Sequence, residues 1–450
     1  MKNKIIAILL LITITFILPA CSTEEIKTTK LTYYALEEDV ESKAWFYKLI
    51  QRYNKYCTKY LDESYQIEVV PFESESEMNL KMSTEIMAGG GPDIMNTKQM
   101  LPFEKLVENG SLLDINSIIE NDESDNQLDF NNYNSIVMNS GVFDGKRYII
   151  PLYYKVNYLV SSESKLRNFN FSIKNGTAFT YKKVDEFYES FFTVQDNISF
   201  FDNQFGVYWI DVYDLFYSFI NSYIDFESKQ VYFDTEEFRN ALPYMKQLTI
   251  KVKEETNNNK LNDYLFYDFY STTSPQILSG AYARESEEGE SLVITRGFLR
   301  DEDEYSANIQ MGIAINNNTD YADKALEFIK FALSENTQGY FIGINSKNNN
   351  MNLQLPVNNK VFKSLKEKSD EYTDDFGYVI GYGASDNEFI QCCFDMIENI
   401  TECEIYENLN GTYFGTSVIS EIVMDYLNDS ISEEKFIRQL TSATYMYMLE

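Results

Sequence analysis

The chain has 450 residues, with 70 Asp plus Glu against 38 Lys plus Arg, a formal charge of −32 and no histidine. Without an imidazole, a Ser-His-Asp triad, a Cys-His nucleophile and a His-zinc site are all excluded. The negative charge opposes binding to DNA, RNA or an anionic membrane surface, because such binding needs clusters of Lys and Arg. We therefore expect no nucleic-acid partner. Hydrophobic residues make up 44 % of the chain, which is enough for a core in two or three domain-sized units.

The N-terminus has the order of an export signal. Lys2 and Lys4 precede an uncharged apolar run over residues 5–18, and Ala20 and Cys21 follow it. The run has 14 residues, fewer than the ~20 that a helix needs to span the hydrocarbon core. We therefore expect residues 1–20 to be a cleaved signal peptide. An ordinary secretory signal with a chance cysteine is the alternative to a lipoprotein signal.

The junction between Ala20 and Cys21 resembles the lipobox of bacterial lipoproteins. The resemblance implies that Cys21 becomes the first mature residue and carries the lipid, with palmitate as an acyl group, and that residues 21–29 form a tether. A body this acidic is repelled by anionic lipid, so the tether alone would hold it at the extracellular face of the cell membrane.

Four further cysteines are Cys57, Cys392, Cys393 and Cys403. A disulfide from Cys403 to Cys392 or Cys393 is possible outside the cytoplasm, but buried or free thiols are favoured. The two spaced ligand pairs of a structural zinc site are missing. A calcium-loop pattern over residues 316–327 fails because a tyrosine stands where glycine is needed. We therefore expect no metal and no cofactor.

Strand and helix patterns alternate at both ends of the chain. Residues 30–36, 66–72, 92–95 and 310–316 are typical of strands, and apolar residues recur at helical spacing from Trp45, Met78 and Ala322. This alternation predicts parallel strands with crossover helices, an α/β architecture. Residues 161–290 between these regions are rich in aromatic residues and more helical, with a helix capped by Asp234 or Thr235. The tail from Glu388 is helical as well.

A run of glycines before a strand, AGGGPDI at 88–94, is the first of several segments that carry a resemblance. The sequence resembles the family 1 extracellular solute-binding proteins of ABC importers, the maltose-binding-protein-like group. Further segments keep the order and spacing of that family over nearly all of the mature chain. They lie at 66–72, 108–115, 144–152, 226–242, 323–338 and 353–361.

The resemblance implies an α/β, two-lobe periplasmic-binding-protein-like fold with discontinuous lobes, an interlobe cleft and hinge closure on binding. We expect lobe 1 to comprise residues 30–152 and 308–346, and lobe 2 to comprise residues 153–307 and 347–450. Ligand clefts form where domains meet.

Sugars present apolar faces and hydroxyl groups, so their sites pair aromatic planes with planar polar side chains. Trp209 is expected to face the cleft from lobe 2, with a core position as the alternative. Asp93 is expected to have a structural role. Glu37 and Glu38 follow the first strand and are candidate hydroxyl acceptors, although an acidic surface loop is the simpler interpretation. The other candidate ligand contacts are Trp45, Asn96, Thr97, Tyr153, Tyr154, Tyr413 and Phe414.

The sequence thus predicts a lipid-anchored, monomeric receptor that captures a carbohydrate, in particular an oligosaccharide, and delivers it to the membrane permease subunits of an ABC transporter. No catalytic residues are expected. A receptor for a cationic or peptide solute is one alternative, motivated by the negative charge. A secreted glycoside hydrolase using two carboxylates is another, and no local motif supports it. A structural surface protein is the remaining class.

Overall fold

The structure is a computed structural model. It describes residues 30–97, 103–168, 173–192, 199–201, 214–225, 228–258, 264–266, 271–272, 291–300, 303–341, 355–367, 372–373, 379–380, 388–405 and 417–449. Within these ranges, none of the helices is both long enough and apolar enough to cross a membrane.

Strands and helices alternate in the first third of the chain, as the sequence predicts. The strands are β1 (Leu31–Leu36), β2 (Ile67–Phe72), β3 (Ile94–Asn96), β4 (Val142–Phe143), β5 (Lys146–Arg147) and β6 (Ile149–Ser162). The helices are α1 (Glu37–Glu41), α2 (Trp45–Tyr60), α3 (Glu75–Met87), α4 (Phe103–Glu108), α5 (Ile115–Glu120) and α6 (Ser135–Asn139).

Helices dominate the middle of the chain. They are α7 (Glu163–Asn168), α8 (Val184–Phe192), α9 (Asp214–Asn221) and α10 (Glu236–Asn258). The strands there are β7 (Ala178–Thr180), β8 (Ser199–Phe201), β9 (Ile224–Asp225), β10 (Gln230–Val231), β11 (Tyr264–Phe266) and β12 (Ser271–Thr272). The hydroxyl of Thr235 accepts a hydrogen bond from the Phe238 amide at 3.3 Å, so Thr235 is the predicted cap of α10.

Two long strands open the last third of the chain, and helices close it. The strands are β13 (Leu292–Leu299), β14 (Ser306–Ile315), β15 (Leu355–Pro356), β16 (Tyr372–Thr373), β17 (Val379–Ile380) and β18 (Glu402–Glu404). The helices are α11 (Ala322–Leu333), α12 (Glu335–Phe341), α13 (Asn359–Glu367), α14 (Glu388–Glu398), α15 (Ser417–Leu427) and α16 (Glu433–Leu449).

Helix α3 shows how local sequence determines an element. Its buried residues Met78, Met82 and Ile86 recur every four positions and form one face of the helix. The side chain of Ser74 caps the first turn. At the other end Gly89 has a φ of 83°, and its amide donates to the carbonyl of Ile86 at 3.0 Å. Glycine adopts this left-handed conformation without a steric penalty, so the helix ends here as predicted.

The principal sheet has the strand order β2-β1-β3-β14-β6-β13-β7. β1 is parallel to β2 and to β3, whereas β14 is antiparallel to β3 and to β6. β6 therefore runs in the same direction as β1 and β3. Strand β6 is longer than β1 and β3 and extends past their carboxyl ends. Its first half pairs with β14, and its second half pairs with β13.

Two large hydrophobic clusters pack against this sheet. One contains Leu49 of α2 and Phe328 of α11, and the other contains Phe216 of α9 and Phe238 of α10. A smaller cluster around Met82 includes residues from β3 and β14. Successive residues of β6 enter different clusters, since Val160 belongs to the first and Leu159 to the second. The two clusters thus cover opposite faces of β6, because neighbouring side chains of a strand point to opposite sides.

Candidate functional site

The candidate site begins at the carboxyl end of β1. Helix α1 follows directly and starts with Glu37 and Glu38, whose side chains are exposed. β3 is parallel to β1 and ends at Asn96. Ligands of open α/β sheets bind beyond the carboxyl ends of such strands. Glu37 and Glu38 thus lie at this edge, and their contact with a solute stays a prediction.

Trp45 is the first residue of α2, and it packs against strand β6. Its ring centroid lies 4.6 Å from that of Tyr153 in β6, with the planes at 81°. The ring of Phe341, at the end of α12, is also 4.6 Å away. Edge-to-face contacts of this kind are favourable between aromatic rings. The structure therefore brings two of the predicted site residues, Trp45 and Tyr153, into direct contact.

Both of these rings carry a buried hydrogen-bond donor that no described residue accepts. The indole nitrogen of Trp45 and the hydroxyl of Tyr153 are buried, and neither has a hydrogen-bond partner among the described residues. Burial raises the pKa of Tyr153 well above its ordinary value, so its hydroxyl stays protonated. An unpaired buried polar group costs ~1–3 kcal/mol. Such groups call for an explanation, and an oxygen of a bound solute or of a water is the simplest one.

Tyr153 and Tyr154 are both completely enclosed, with exposures of 0 % and 1 %. Side chains alternate along a strand, so Tyr153 and Lys155 point to one face of β6 and Tyr154 points to the other. Neither tyrosine offers an open stacking surface in this conformation. Their predicted contact with a solute stays a prediction.

Asn96 and Thr97 lie at the end of β3 and are buried, each with an exposure of 4 %. The side chain of Asn96 forms a hydrogen bond with that of Tyr33. The hydroxyl of Thr97 accepts a hydrogen bond from the amide of Gly312 at 2.9 Å. Both side chains therefore connect β3 to neighbouring strands, and their contact with a solute stays a prediction.

A polar pair that the sequence did not indicate lies on the paired strands β6 and β14. Lys155 is paired with Asn308 in the antiparallel register, so both side chains point to the same face. A bulge follows at Gln310, whose amide nitrogen is buried and has no partner among the described residues. Nothing in the local sequence could reveal this patch, because the two strands are far apart along the chain.

Asp93 has the structural role that the sequence predicts. One carboxylate oxygen accepts hydrogen bonds from the amide of Thr32 at 2.8 Å and from its hydroxyl at 2.7 Å. The other accepts from the hydroxyl of Thr319 at 2.5 Å. The side-chain amide nitrogen of Asn316 donates to the carbonyls of Gly90 and Pro92. The glycine-rich segment thus fastens the amino ends of β1 and β3 to the end of β14, away from the carboxyl edge.

Several predicted residues fall outside the described ranges. Trp209, Tyr413, Phe414 and the lipidation residue Cys21 are among them, as is the proposed signal peptide. Their predicted roles rest on the sequence alone.

The described cysteines are free thiols: Cys57, Cys392, Cys393 and Cys403. Burial raises the pKa of Cys57 to about 11 and that of Cys393 to about 12, which disfavours the reactive thiolate. Across the parts of the chain that the structure describes, no group of three or more acidic or cysteine residues is arranged to hold a metal ion.

Comparison with solved structures shows a shared fold at low sequence identity. The sugar-binding protein MalE from Xanthomonas citri is 14 % identical, with a TM-score of 0.59, and the match covers 93 % of this chain and 97 % of that one. An ABC substrate-binding protein from Listeria monocytogenes, solved in complex with cycloalternan, is 13 % identical, with a TM-score of 0.57 and coverages of 93 % and 98 %. Maltose-bound MalE3 from T. maritima is 17 % identical, with a TM-score of 0.53 and coverages of 93 % and 99 %.

These neighbours confirm the predicted α/β, two-lobe periplasmic-binding-protein fold. No curated protein matches the sequence. Residues 38–339, well over half of the chain, match the family described as bacterial extracellular solute-binding protein. The chain therefore belongs to the bacterial extracellular solute-binding proteins.

Proposed function

We propose that this protein captures a carbohydrate, in particular an oligosaccharide, between its two lobes and hands it unchanged to the permease subunits of an ABC transporter. The observation that carries the proposal is the contact between Trp45 and Tyr153, two aromatic rings 4.6 Å apart. Each ring bears a buried donor that has no acceptor among the described residues. A sugar hydroxyl group offers an acceptor for such donors, and the half-buried ring of Trp45 is suited to the apolar face of a sugar.

The position of this pair supports the proposal. Trp45 lies just beyond the carboxyl end of β1, the edge at which open α/β sheets bind ligands. Tyr153 lies on β6, whose first half pairs with β14 and whose second half pairs with β13. A solute bound at Trp45 and Tyr153 would contact β6, the strand that we propose to connect the two lobes.

The lobes are proposed to comprise residues 30–152 with 308–346, and residues 153–307 with 347–450. Tyr154 of β6 pairs with Ile309 of β14 and with Leu355 of β15. The meeting of these three strands supports the proposal that the chain passes from one lobe to the other near these residues. Closure would be a population shift: the solute favours the closed form by its greater affinity for that form. No chemical step is proposed, in agreement with a family of binding proteins.

Anchoring to the extracellular face of the membrane through Cys21 is the second part of the proposal. It is supported by the sequence of residues 1–21 alone. Replacing the cysteine in Cys21→Ala should release the protein from washed membranes into the soluble fraction. Retention of this variant at the membrane would contradict lipid anchoring.

A thermal-shift screen tests the choice of cargo. A ligand that binds only the folded protein raises the unfolding midpoint in proportion to RT ln(1 + [L]/Kd). Linear and cyclic oligosaccharides are expected to raise the midpoint, whereas tripeptides and polyamines are not. If only peptides or polyamines raise the unfolding midpoint, the protein binds one of these alternative solutes and not a carbohydrate.

A further inference from the structure

The solvent face of helix α2 is basic, although the chain as a whole is strongly acidic. Residues 42–61 contain no Asp or Glu, whereas the full chain has a formal charge of −32. Glu41 and Asp62 are the nearest acidic residues on either side. An α-helix has ~3.6 residues per turn, so basic residues spaced four, three and four positions apart share one face. We call this face the basic stripe, and it consists of Lys48, Arg52, Lys55 and Lys59.

The basic stripe lies opposite the buried face of the helix. Lys48, Lys55 and Lys59 are exposed, and Arg52 is half-buried. The residues of α2 that point into the first hydrophobic cluster are Phe46, Leu49, Ile50, Tyr53 and Cys57. The stripe is therefore the part of α2 that the packing of the protein does not use.

The charges of the basic stripe are not neutralised within the protein. Among the described residues, no carboxylate forms an ion pair with any of the four cations. The guanidinium of Arg52 lies 4.0 Å from the ring centroid of Tyr340, and its buried Nε has no hydrogen-bond partner in the described chain. The ammonium group of Lys59 lies 4.7 Å from the ring centroid of Tyr60. An external anion can therefore be attracted to the stripe without the loss of an internal ion pair.

The end of the basic stripe lies beside the point at which the proposed tether joins the fold. Lys30 is the first described residue, and its ammonium group donates to the side-chain oxygen of Gln66 at 2.9 Å. The side-chain nitrogen of Gln66 donates in turn to the hydroxyl of Thr58, at 2.8 Å, next to the last cation of the stripe. Residues 21–29 span at most ~32 Å when fully extended. A membrane that holds the lipid would therefore lie within this distance of Lys30.

The same end of α2 exposes apolar surface next to the charges. Tyr60 and Leu61 follow the stripe and are exposed by 61 % and 40 %. Tyrosine and leucine beside lysine are typical of segments that lie in a membrane–water interface. This combination favours an anionic lipid surface over a soluble acidic partner, which would be attracted by the charges alone.

We propose that the basic stripe lies against the anionic head groups of the membrane and fixes the orientation of the tethered receptor. This inference rests on the lipid anchor proposed for Cys21, because the overall negative charge would repel an untethered protein from such a surface. Salt screens charges beyond a Debye length of ~10 Å at 0.1 M. The cations of the stripe at the surface are therefore attracted, while the acidic residues on the far side of the body contribute little. The tether limits the distance to the membrane, and the stripe determines which face meets it.

Acetylation of lysines, followed by mass spectrometry, tests the orientation. The lipid-modified protein is bound to vesicles of phosphatidylcholine alone, or of phosphatidylcholine with about 30 % phosphatidylglycerol, and treated briefly with acetic anhydride. Lys48, Lys55 and Lys59 should react about fivefold more slowly on the anionic vesicles, and this protection should disappear in about 1 M salt. Lys435 is the internal control, because it is exposed on α16, and its rate should be the same on both vesicles.

Two double variants with equal charge separate the stripe from the net charge of the protein. In Lys55→Gln/Lys59→Gln, Lys48 should react at the same rate on both types of vesicle. Lys146→Gln/Lys435→Gln removes two exposed cations outside α2, so Lys48 should remain protected on the anionic vesicles.

Each other outcome overturns a defined part of the account. The orientation is wrong if the protein stays on the vesicles but the lysines of the stripe react equally on both types, or if the two double variants behave alike. Protein that remains in the supernatant of both vesicles would contradict the lipid anchor and, with it, the orientation. Protection that increases with protein concentration in the absence of vesicles would assign the stripe to a contact between two copies of the chain.

Discussion

The indole ring of Trp45 and the phenol ring of Tyr153 meet edge to face, with centroids 4.6 Å apart and planes at 81°. Each ring holds a buried donor for which the described part of the protein provides no acceptor. A buried donor without an acceptor destabilises the empty protein, and an oxygen of a bound solute would satisfy it. The group that lowers the stability of the empty protein is therefore the group expected to strengthen solute binding.

Tyr153→Phe should weaken oligosaccharide binding by about tenfold and leave the empty protein equally stable, or more stable by up to about 1 kcal/mol. The variant removes an unpaired hydroxyl and keeps the ring. Urea unfolding and titration calorimetry measure the two effects.

Tyr158→Phe on the same strand is the control for that experiment. The hydroxyl of Tyr158 donates to the carbonyl of Cys393 at 3.4 Å, so its removal should lower stability by about 1 kcal/mol and leave solute affinity unchanged. Equal effects of the two substitutions on affinity would remove the special role of Tyr153.

Asp93→Asn should destabilise the protein without changing its affinity for a solute. Asp93 accepts three hydrogen bonds, from the amide and hydroxyl of Thr32 and from the hydroxyl of Thr319, and an amide cannot accept all of them. The expected loss is about 1–3 kcal/mol in the free energy of unfolding. Asp125→Asn, on an exposed loop, should lose almost nothing. A large fall in affinity with unchanged stability would show that the glycine-rich segment acts in binding instead.

Lys330 forms a buried ion pair with Asp122, at 2.6 Å, and contacts Glu327 at 2.9 Å. Lys330→Met would leave the carboxylate of Asp122 buried without its partner, which should cost up to about 3 kcal/mol. Lys360→Met removes an exposed pair with Glu335 and should cost at most about 1 kcal/mol. Equal losses in urea unfolding would mean that burial does not strengthen the first pair.

The same ion pair predicts a dependence on pH. Burial alone would raise the pKa of Asp122, but hydrogen bonds from Lys330 and Ser124 hold it below its ordinary value. A carboxyl group whose pKa is lowered by folding stabilises the protein fully above its unfolded pKa of ~3.9, and this stability is lost as the pH falls through the folded value. The free energy of unfolding should therefore decline below about pH 4, and it should decline less in Lys330→Met than in the wild type. An identical decline in both proteins would assign the acid sensitivity to other groups.

The fold was largely predictable, because helices and strands such as α3 and β2 follow from local periodicity. Met78, Met82 and Ile86 are buried as their spacing predicts. The position of Trp45 after the first strand and its short following helix was predictable from the alternating α/β pattern, and its contact with a solute stays a prediction.

The enclosure of Tyr153 and Tyr154 was not predictable. β6 has neighbours on both edges and packing on both faces, so adjacent side chains are buried together although they point in opposite directions. The pairing of Lys155 with Asn308 depends on the register of two strands that are distant in sequence. Local sequence patterns do not predict which residues of two distant strands pair with each other.

The most direct test of the account is calorimetric titration of the mature protein with linear and cyclic oligosaccharides, together with tripeptides and polyamines. We predict that at least one oligosaccharide binds with a stoichiometry of one and remains chemically unchanged. Binding restricted to peptides or polyamines, or cleavage of the bound oligosaccharide, would contradict carbohydrate capture.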